Sequence, residues 1–245
     1  KTAVLVWDWQ HREQPTSNGV FFGKPVPAID ARPVHLDLRN VAPGSYRLQV
    51  RRTERLSPRM IRVVAGGDDL AAFPDTAHTD RYVKILFPRP GVAYPGGWPR
   101  PRPASEGEVS ADSRGLGYPQ EPFDIDAVRA AYPREQWPVV RTYTVRSLDH
   151  AAGELTIDFV HHGDAGLAGP WAAAARPGDP LLLLGPGGAY APDPTADRHL
   201  LVGDESALPA IGAALERVPA GAPVHAIIEV DGPADELELT SPGRL

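Results

Sequence analysis

The chain has 245 residues, 42% of them hydrophobic, enough to bury the core of one large domain or two small ones. Its net charge of −6 argues against a nucleic-acid partner, whose affinity would come from neutralising phosphates. The absence of cysteine excludes disulfides, thiolate zinc sites, cysteine nucleophiles and cysteine-ligated iron–sulfur clusters, and no apolar run is long enough to predict membrane insertion.

Twenty-eight prolines and 24 glycines favour short strands and turns over long helices. Arg47–Arg52 and Met60–Ala65 read as paired strands about a turn at Leu56-Ser57-Pro58, and Tyr82–Phe87 reads as another. Within it Lys84 alternates with apolar neighbours, as on the wet face of a strand. With Arg89, Arg100 and Arg102 it could form a basic rim for an anionic ligand. From Pro88 to Pro122 the chain is crowded with Pro, Gly and polar residues, which reads as a surface loop or a lid over a cofactor.

Order returns with a short helix at Ile125–Tyr132 and a strand at Val139–Ser147. In Glu154–His161, Leu155, Ile157 and Phe159 alternate with Thr156 and Asp158, the pattern of a strand with one buried face, so a hairpin is expected. A short helix at Trp171–Ala175 and an apolar strand at Pro180–Leu184 follow. Leu200–Val202 then leads through Gly203-Asp204-Glu205-Ser206 into a helix at Ala207–Arg217 and an apolar strand at Val224–Val230. Strand, turn, helix, strand is the βαβ opening of a parallel nucleotide-binding sheet, and the expected α/β domain is truncated at Leu245.

In a strand over Arg141-Thr142-Tyr143-Thr144-Val145-Arg146, alternate residues share a face: Arg141, Tyr143 and Val145 on one, Thr142, Thr144 and Arg146 on the other. A guanidinium fork, an aromatic plane and a hydroxyl are what a bound flavin dinucleotide needs, although each is also a common strand residue. His161 and His162 point opposite ways and are poor joint metal ligands, so no metal is expected. Asp204 or Ser206 can cap the helix that follows Gly203.

This strand, the run Ile157–Gly166, Trp171–Asp179, Gly185-Pro186-Gly187-Gly188 and Gly203–Ile211 stand in one order, with Leu56–Val63 and Tyr82–Pro88 upstream. Over about residues 46–245 the chain thus resembles the siderophore-interacting, FAD-binding proteins of the ferredoxin-reductase superfamily. The resemblance implies an antiparallel β-barrel FAD-binding domain (46–196) followed by a partial α/β NAD(P)H-binding domain (197–245), with FAD and NADPH or NADH as cofactors. It further implies a ferric siderophore as substrate and a cytoplasmic setting. By it Arg141 holds the FAD pyrophosphate, Thr142 and Val145 flank the site, Tyr143 packs on the flavin, and Thr144 lies by its reactive nitrogen. His161 and the helix start at Gly166, Leu167, Ala168, Gly169 and Trp171 serve the dinucleotide, and Gly203, Asp204, Glu205 and Ser206 the nicotinamide side, with Glu229 a further candidate. Lys84 receives the iron chelate. Leu167 and Gly169-Pro170 depart from the family pattern, which removes a hydroxyl contact.

Residues 1–45 form a β-rich segment of another kind. Val4–Gln10, Phe21–Ala28 and Leu36–Arg47 resemble the carboxy-terminal β region of β-xylosidase-like glycoside hydrolases, a region without the paired catalytic carboxylates. Two other readings stand beside the reductase: a general flavin reductase with an organic acceptor, and a non-catalytic, carbohydrate-associated β module.

Overall fold

The computed structural model describes residues 2–8, 19–23, 44–89, 91–92 and 129–245. Among the described residues ten strands fall into a closed barrel and a four-stranded sheet. The proposed loop or lid between Pro88 and Pro122, with Arg100 and Arg102, lies almost wholly outside the described residues, as do 125–128 of the expected helix; residues 129–131 are helical.

The barrel contains β3 (Ser45–Ser57), β4 (Met60–Gly66), β5 (Tyr82–Phe87), β6 (Val139–Asp149), β7 (Glu154–Val160) and β8 (Pro180–Gly187). They close in the order β3-β4-β7-β6-β5-β8, every pair antiparallel. Closure leaves no strand edge unpaired. β3 is long enough to serve two partners: Ser45–Gln49 pair with β8 and Gln49–Ser57 with β4, with register shifts between Val50 and Arg52 and between Arg55 and Ser57. A bulge bends a strand and increases its twist, which lets one strand turn the corner. The strand therefore runs through Leu56-Ser57, and the turn falls on Pro58-Arg59 rather than where sequence spacing puts it.

Alternate residues fill the interior, as a period of two requires: Leu48 and Val50, Ile61, Val63 and Ala65, Val83, Ile85 and Phe87, Leu155, Ile157 and Phe159, Leu181 and Leu183. Leu70 and Phe73, from a 3-10 turn at Asp68–Ala72, join this core, and Phe73 meets Tyr46 edge-on at 4.9 Å. The expectation of one buried face on β7 is corrected here, because Leu155 through Phe159 are all buried. Its outer face is closed by charge rather than by apolar packing. Arg62 donates from Nε and Nη2 to the two oxygens of Asp158, at 2.7 and 2.8 Å.

The second sheet has the order β10-β9-β1-β2, from β9 (Arg198–Asp204), β10 (Val224–Glu229), β1 (Thr2–Asp8) and β2 (Gly19–Gly23). β9 and β10 are parallel and joined by helix α2 (Leu208–Leu215), which follows helix α1 (Ala168–Ala174) in the chain. The other side of β9 is also paired: β1 lies parallel to it, with Thr2 opposite Arg198 and Val6 opposite Val202. The separate amino-terminal segment thus supplies the hydrogen bonds that β9 would otherwise lack on that side.

Nearly every residue of α2 is buried, although a helix on a sheet ordinarily keeps a wet side. Ile211, Ala214 and Leu215 pack with Leu201 and Val224 of the sheet, while Gly212 lies against β6. A Cβ on Gly212 would sit 3.2 Å from Nε of Arg146, so the small residue allows the barrel to approach.

Replacing Asp158 with Ala leaves the Arg62 guanidinium without its bidentate partner on a largely covered face. The expected loss is about 2–3 kcal/mol of unfolding free energy, read from urea denaturation; a loss below about 0.5 kcal/mol would mean that water replaces the carboxylate without cost.

Candidate functional site

The residues singled out in the sequence gather at one end of the barrel. β6 and β7 pair with Val145 opposite Ile157, and two residues further the rings of Tyr143 and Phe159 meet with centroids 4.4 Å apart. Phe159 in turn meets Trp171 of α1, at 5.5 Å, and Trp171 meets Phe87, also at 5.5 Å. This aromatic row lines the interior at that end. Burial, only partly offset by Arg141, pushes the Tyr143 hydroxyl up to about 12, so the phenol is a proton donor at neutral pH.

The other face of β6 carries Thr142 and Thr144. Thr144 is buried opposite Tyr82, and Thr142 is opposite Lys84. Arg141 is exposed, and its Nη1 donates to the Val140 carbonyl at 3.0 Å, which leaves most of the guanidinium fork available. Lys84 is half-buried between the inward-facing Val83 and Ile85. Burial first, and Arg129 second, lower its pKa. Arg129 stands 5.5 Å over the ring of Trp137. Arg129 is thus a cation that Lys84 feels, and Arg89 donates from Nε to the Trp137 carbonyl at 2.9 Å.

Beyond β7, Gly163 and Gly166 adopt φ of +60° and +82°, and a Cβ at either would meet nothing within 4 Å. They carry the chain through two left-handed turns into α1. This helix starts at Ala168, three residues before the sequence pattern places it, because Pro170 is compatible with a first turn. Leu167 precedes it without a side-chain cap, so the first-turn N–H groups of Ala168 and Gly169 have no partner within the helix. Gly169 is needed for packing: a Cβ there would come within 2.8 Å of the Val160 carbonyl oxygen.

The turn after β9 approaches the same end. Asp204 Oδ1 accepts the N–H of Ser206 at 2.9 Å and of Ala207 at 3.2 Å and so closes the turn before α2, whose own N-cap is Ala207 without a side-chain cap; neither Asp204 nor Ser206 caps the helix as expected. Glu205 faces His162, with Oε1 3.6 Å from Nε2, and its Oε2 is buried without a hydrogen-bond partner. Its side chain is only 16% exposed. Glu229 ends β10 on an exposed position. No group of three or more His, Asp or Glu suited to a metal occurs among the described residues.

A cleft of about 390 Å³ lies elsewhere, on the outer barrel face, lined by Arg52, Glu54, Arg62, Arg146, Glu154 and Glu216. Its charges are matched, since Arg52 pairs with Glu154 and Arg146 with Glu216. The Tyr143 end instead combines an uncommitted guanidinium, open left-handed glycines, uncapped helix N–H groups and one orphaned carboxylate oxygen. Those donors fit the pyrophosphate of a dinucleotide such as FAD, and the orphaned acceptor fits a ligand N–H or O–H. Sequence reasoning missed the aromatic row through Trp171 and Phe87, the role of Arg129, and the burial of Glu205; only the spacing of Phe159 and Tyr143 on their strands hinted at the first.

The model of the siderophore-interacting FAD-binding domain matches residues 49–190, and that of the siderophore-interacting protein matches residues 196–245. Ferric vibriobactin reductase ViuB of Vibrio cholerae is 34% identical over 197 residues, covering 79% of this chain and 62% of its own. NADPH-dependent ferric-chelate reductase of Escherichia coli is 32% identical, covering 69% of this chain and 55% of its own. The crystal structure of a siderophore utilization protein from T. fusca is 37% identical with a TM-score of 0.61, covering 82% of this chain and 67% of that one. The chain thus spans about three fifths of the length of these curated relatives.

Burial raises the Glu205 carboxyl above its ordinary value, against the pull of His162 and Arg59. The stability that a raised acid contributes is whole below the ordinary glutamate value of about 4.3 and is lost as pH rises through the folded-state value. Glu205→Gln, uncharged at every pH, is expected to melt above the parent near pH 8, with the gap closing as pH falls toward about 4. Melting curves across that range check the sign, and a gap that widens on acidification contradicts it.

Proposed function

Because the chain belongs to the siderophore-interacting FAD-binding family, we propose that it is an FAD-dependent NAD(P)H oxidoreductase that reduces ferric iron held by a siderophore. The observation that carries this reading is the convergence of Arg141, Tyr143, the Gly163–Gly169 turn and Glu205 on one end of a closed barrel. The names of two relatives, a ferric vibriobactin reductase and a ferric-chelate reductase, support the choice of iron chelate over an organic acceptor.

On this reading Arg141 and the first-turn N–H groups of α1 hold the FAD pyrophosphate, where charge-assisted bonds are strongest. Tyr143, kept protonated, offers a hydroxyl donor and a ring face anchored by Phe159. Thr142 and Thr144 border the flavin on the outer face of β6. The turn Gly203–Ser206 receives the nicotinamide nucleotide, NADPH or NADH, with the orphaned oxygen of Glu205 as an acceptor. Bound FAD would supply what no side chain of this protein can, the exchange of a hydride pair for single electrons.

Lys84 and Arg129, two cations held near each other, receive the anionic chelate. Hard oxygen ligands bind ferric iron far better than ferrous iron, so reduction releases it. None of these 245 residues is a cysteine, so none of them could ligate an iron–sulfur relay, and the chelate would take its electrons from the flavin. A cytoplasmic setting, where nicotinamide nucleotides are at hand, would suit this reading.

Titration with FAD should yield a yellow complex, and Arg141→Ala should weaken it by about tenfold or more, the worth of a charge-assisted contact. Absence of flavin absorbance after reconstitution of the parent would end the reading. Turnover on ferric siderophores should exceed turnover on quinones; the reverse order would favour a general flavin reductase.

A further inference from the structure

The turn Ser57-Pro58-Arg59 stands apart from the aromatic row, yet among the described residues it carries several polar contacts between the barrel and the loops after β9 and β10. Arg59 Nη2 lies 2.8 Å from Asp231 Oδ2 and Nη1 lies 3.7 Å from Glu205 Oε1. The Arg59 N–H donates to Asp235 Oδ1 at 2.9 Å, and the Ser57 hydroxyl donates to the same oxygen at 2.8 Å. On the barrel side, the Arg59 carbonyl accepts the His161 N–H at 2.8 Å.

Glu205 follows β9, while Asp231 and Asp235 follow β10. In an open parallel sheet the ligand crevice lies outside the carboxyl ends of the strands, between such loops. One barrel turn therefore grips both walls of that crevice and, through His161, the end of β7. Ser57 and Asp235 are buried, so this part of the contact is shielded from water, whereas Asp231 is mostly exposed. Asp235 anchors the turn and Arg59 aims it: a planar fork can face two carboxylates at once, which an ammonium cannot do with the same rigidity. Without the guanidinium, Glu205 loses a fixed positive neighbour while Asp204 and Asp235 still press on it.

We infer that Arg59 is a positioning residue, and that the Ser57-Pro58-Arg59 turn sets the placement of the Gly203–Ser206 turn against the Tyr143 end of the barrel. The inference rests on the reading of that turn as the nicotinamide side. It assigns the barrel a part in nicotinamide alignment in addition to flavin binding, and it explains why a surface turn holds a buried carboxylate from a segment 176 residues away.

The test compares the FAD-loaded full chain with Arg59→Ala, Arg59→Lys and Asp231→Asn. FAD affinity and flavin reduction by dithionite should stay within about twofold of the parent, because neither uses the turn. Amide exchange over residues 203–206 should accelerate about tenfold in Arg59→Ala and return partway in Arg59→Lys. The saturating rate of flavin reduction by NADPH should fall about tenfold or more with the half-saturating concentration little changed, since misplacement by an ångström acts on the rate. Faster exchange with an unchanged rate would reduce Arg59 to a structural contact and overturn the inference, as would unchanged exchange. If Arg59→Ala fails to fold, Asp231→Asn decides, with effects of the same sign and smaller size. A parent whose flavin NADPH cannot reduce would remove the nicotinamide reading instead, and the exchange arm alone would then decide whether the turn seats the loops.

Discussion

Helix Leu208–Leu215 has no solvent face, and the arrangement of the molecule depends on that fact. Its alanines and its central glycine let it lie between the sheet, through Ile211 and Leu215, and strand β6 of the barrel, where Gly212 meets the Arg146 side chain. The helix thus packs its apolar side on the sheet and sets its glycine against a charged side chain of the barrel. Burial of the helix on the sheet, about 25 cal/mol for each Å² of apolar surface, holds it in place more firmly than the surface ion pairs around it. It brings the turn after β9 to the barrel end at which Tyr143, Phe159 and Trp171 meet.

Charge then refines what burial has brought together. An acidic chain could not receive an anionic ligand by its net field, so local arrangement decides. Arginines on the outer barrel face are matched by Asp158, Glu154 and Glu216 and are structural. Arg141, Lys84 and Arg129 stand on the strands and flank that border the candidate site, and burial together with mutual repulsion depresses Lys84. Asp80 is a further structural carboxylate: it is buried and accepts the N–H groups of Ala189 and Tyr190, which fixes the segment leading from the barrel to β9.

Much of the barrel was legible because a period of two is a local signal. Val83, Ile85 and Phe87, and Leu155, Ile157 and Phe159, announce strands without help from the rest of the chain. What closes the barrel was not legible, since the pairing of β3 with β8 joins segments more than a hundred residues apart. The two-sided burial of β7 was hidden for a related reason: Asp158 reads as a wet residue until Arg62 covers it. The helix start before Trp171 was missed because Leu167 offers no capping side chain to mark it. At the site, the chemistry of Arg141 and Tyr143 could be read from the strand, and the resemblance to siderophore-interacting proteins supplied their expected roles. The orphaned oxygen of Glu205 and the grip of Asp235 on the Ser57 turn depend on long-range packing, which residue spacing does not encode.

The parallel pairing of β1 with β9 has a consequence for how the chain reaches this structure. Thr2 aligns with Arg198, so β1, which has β2 close by in the chain, gains its other neighbour only from beyond the six barrel strands. The barrel, whose strands lie between them, has all its pairing partners before β9 and β10 are made. Domains generally fold as units during synthesis, and contacts between distant segments form late because loop closure must come first. The side of β1 that meets β9 therefore stays open until the barrel strands between them have been made, and its backbone groups there must be kept from pairing with another chain.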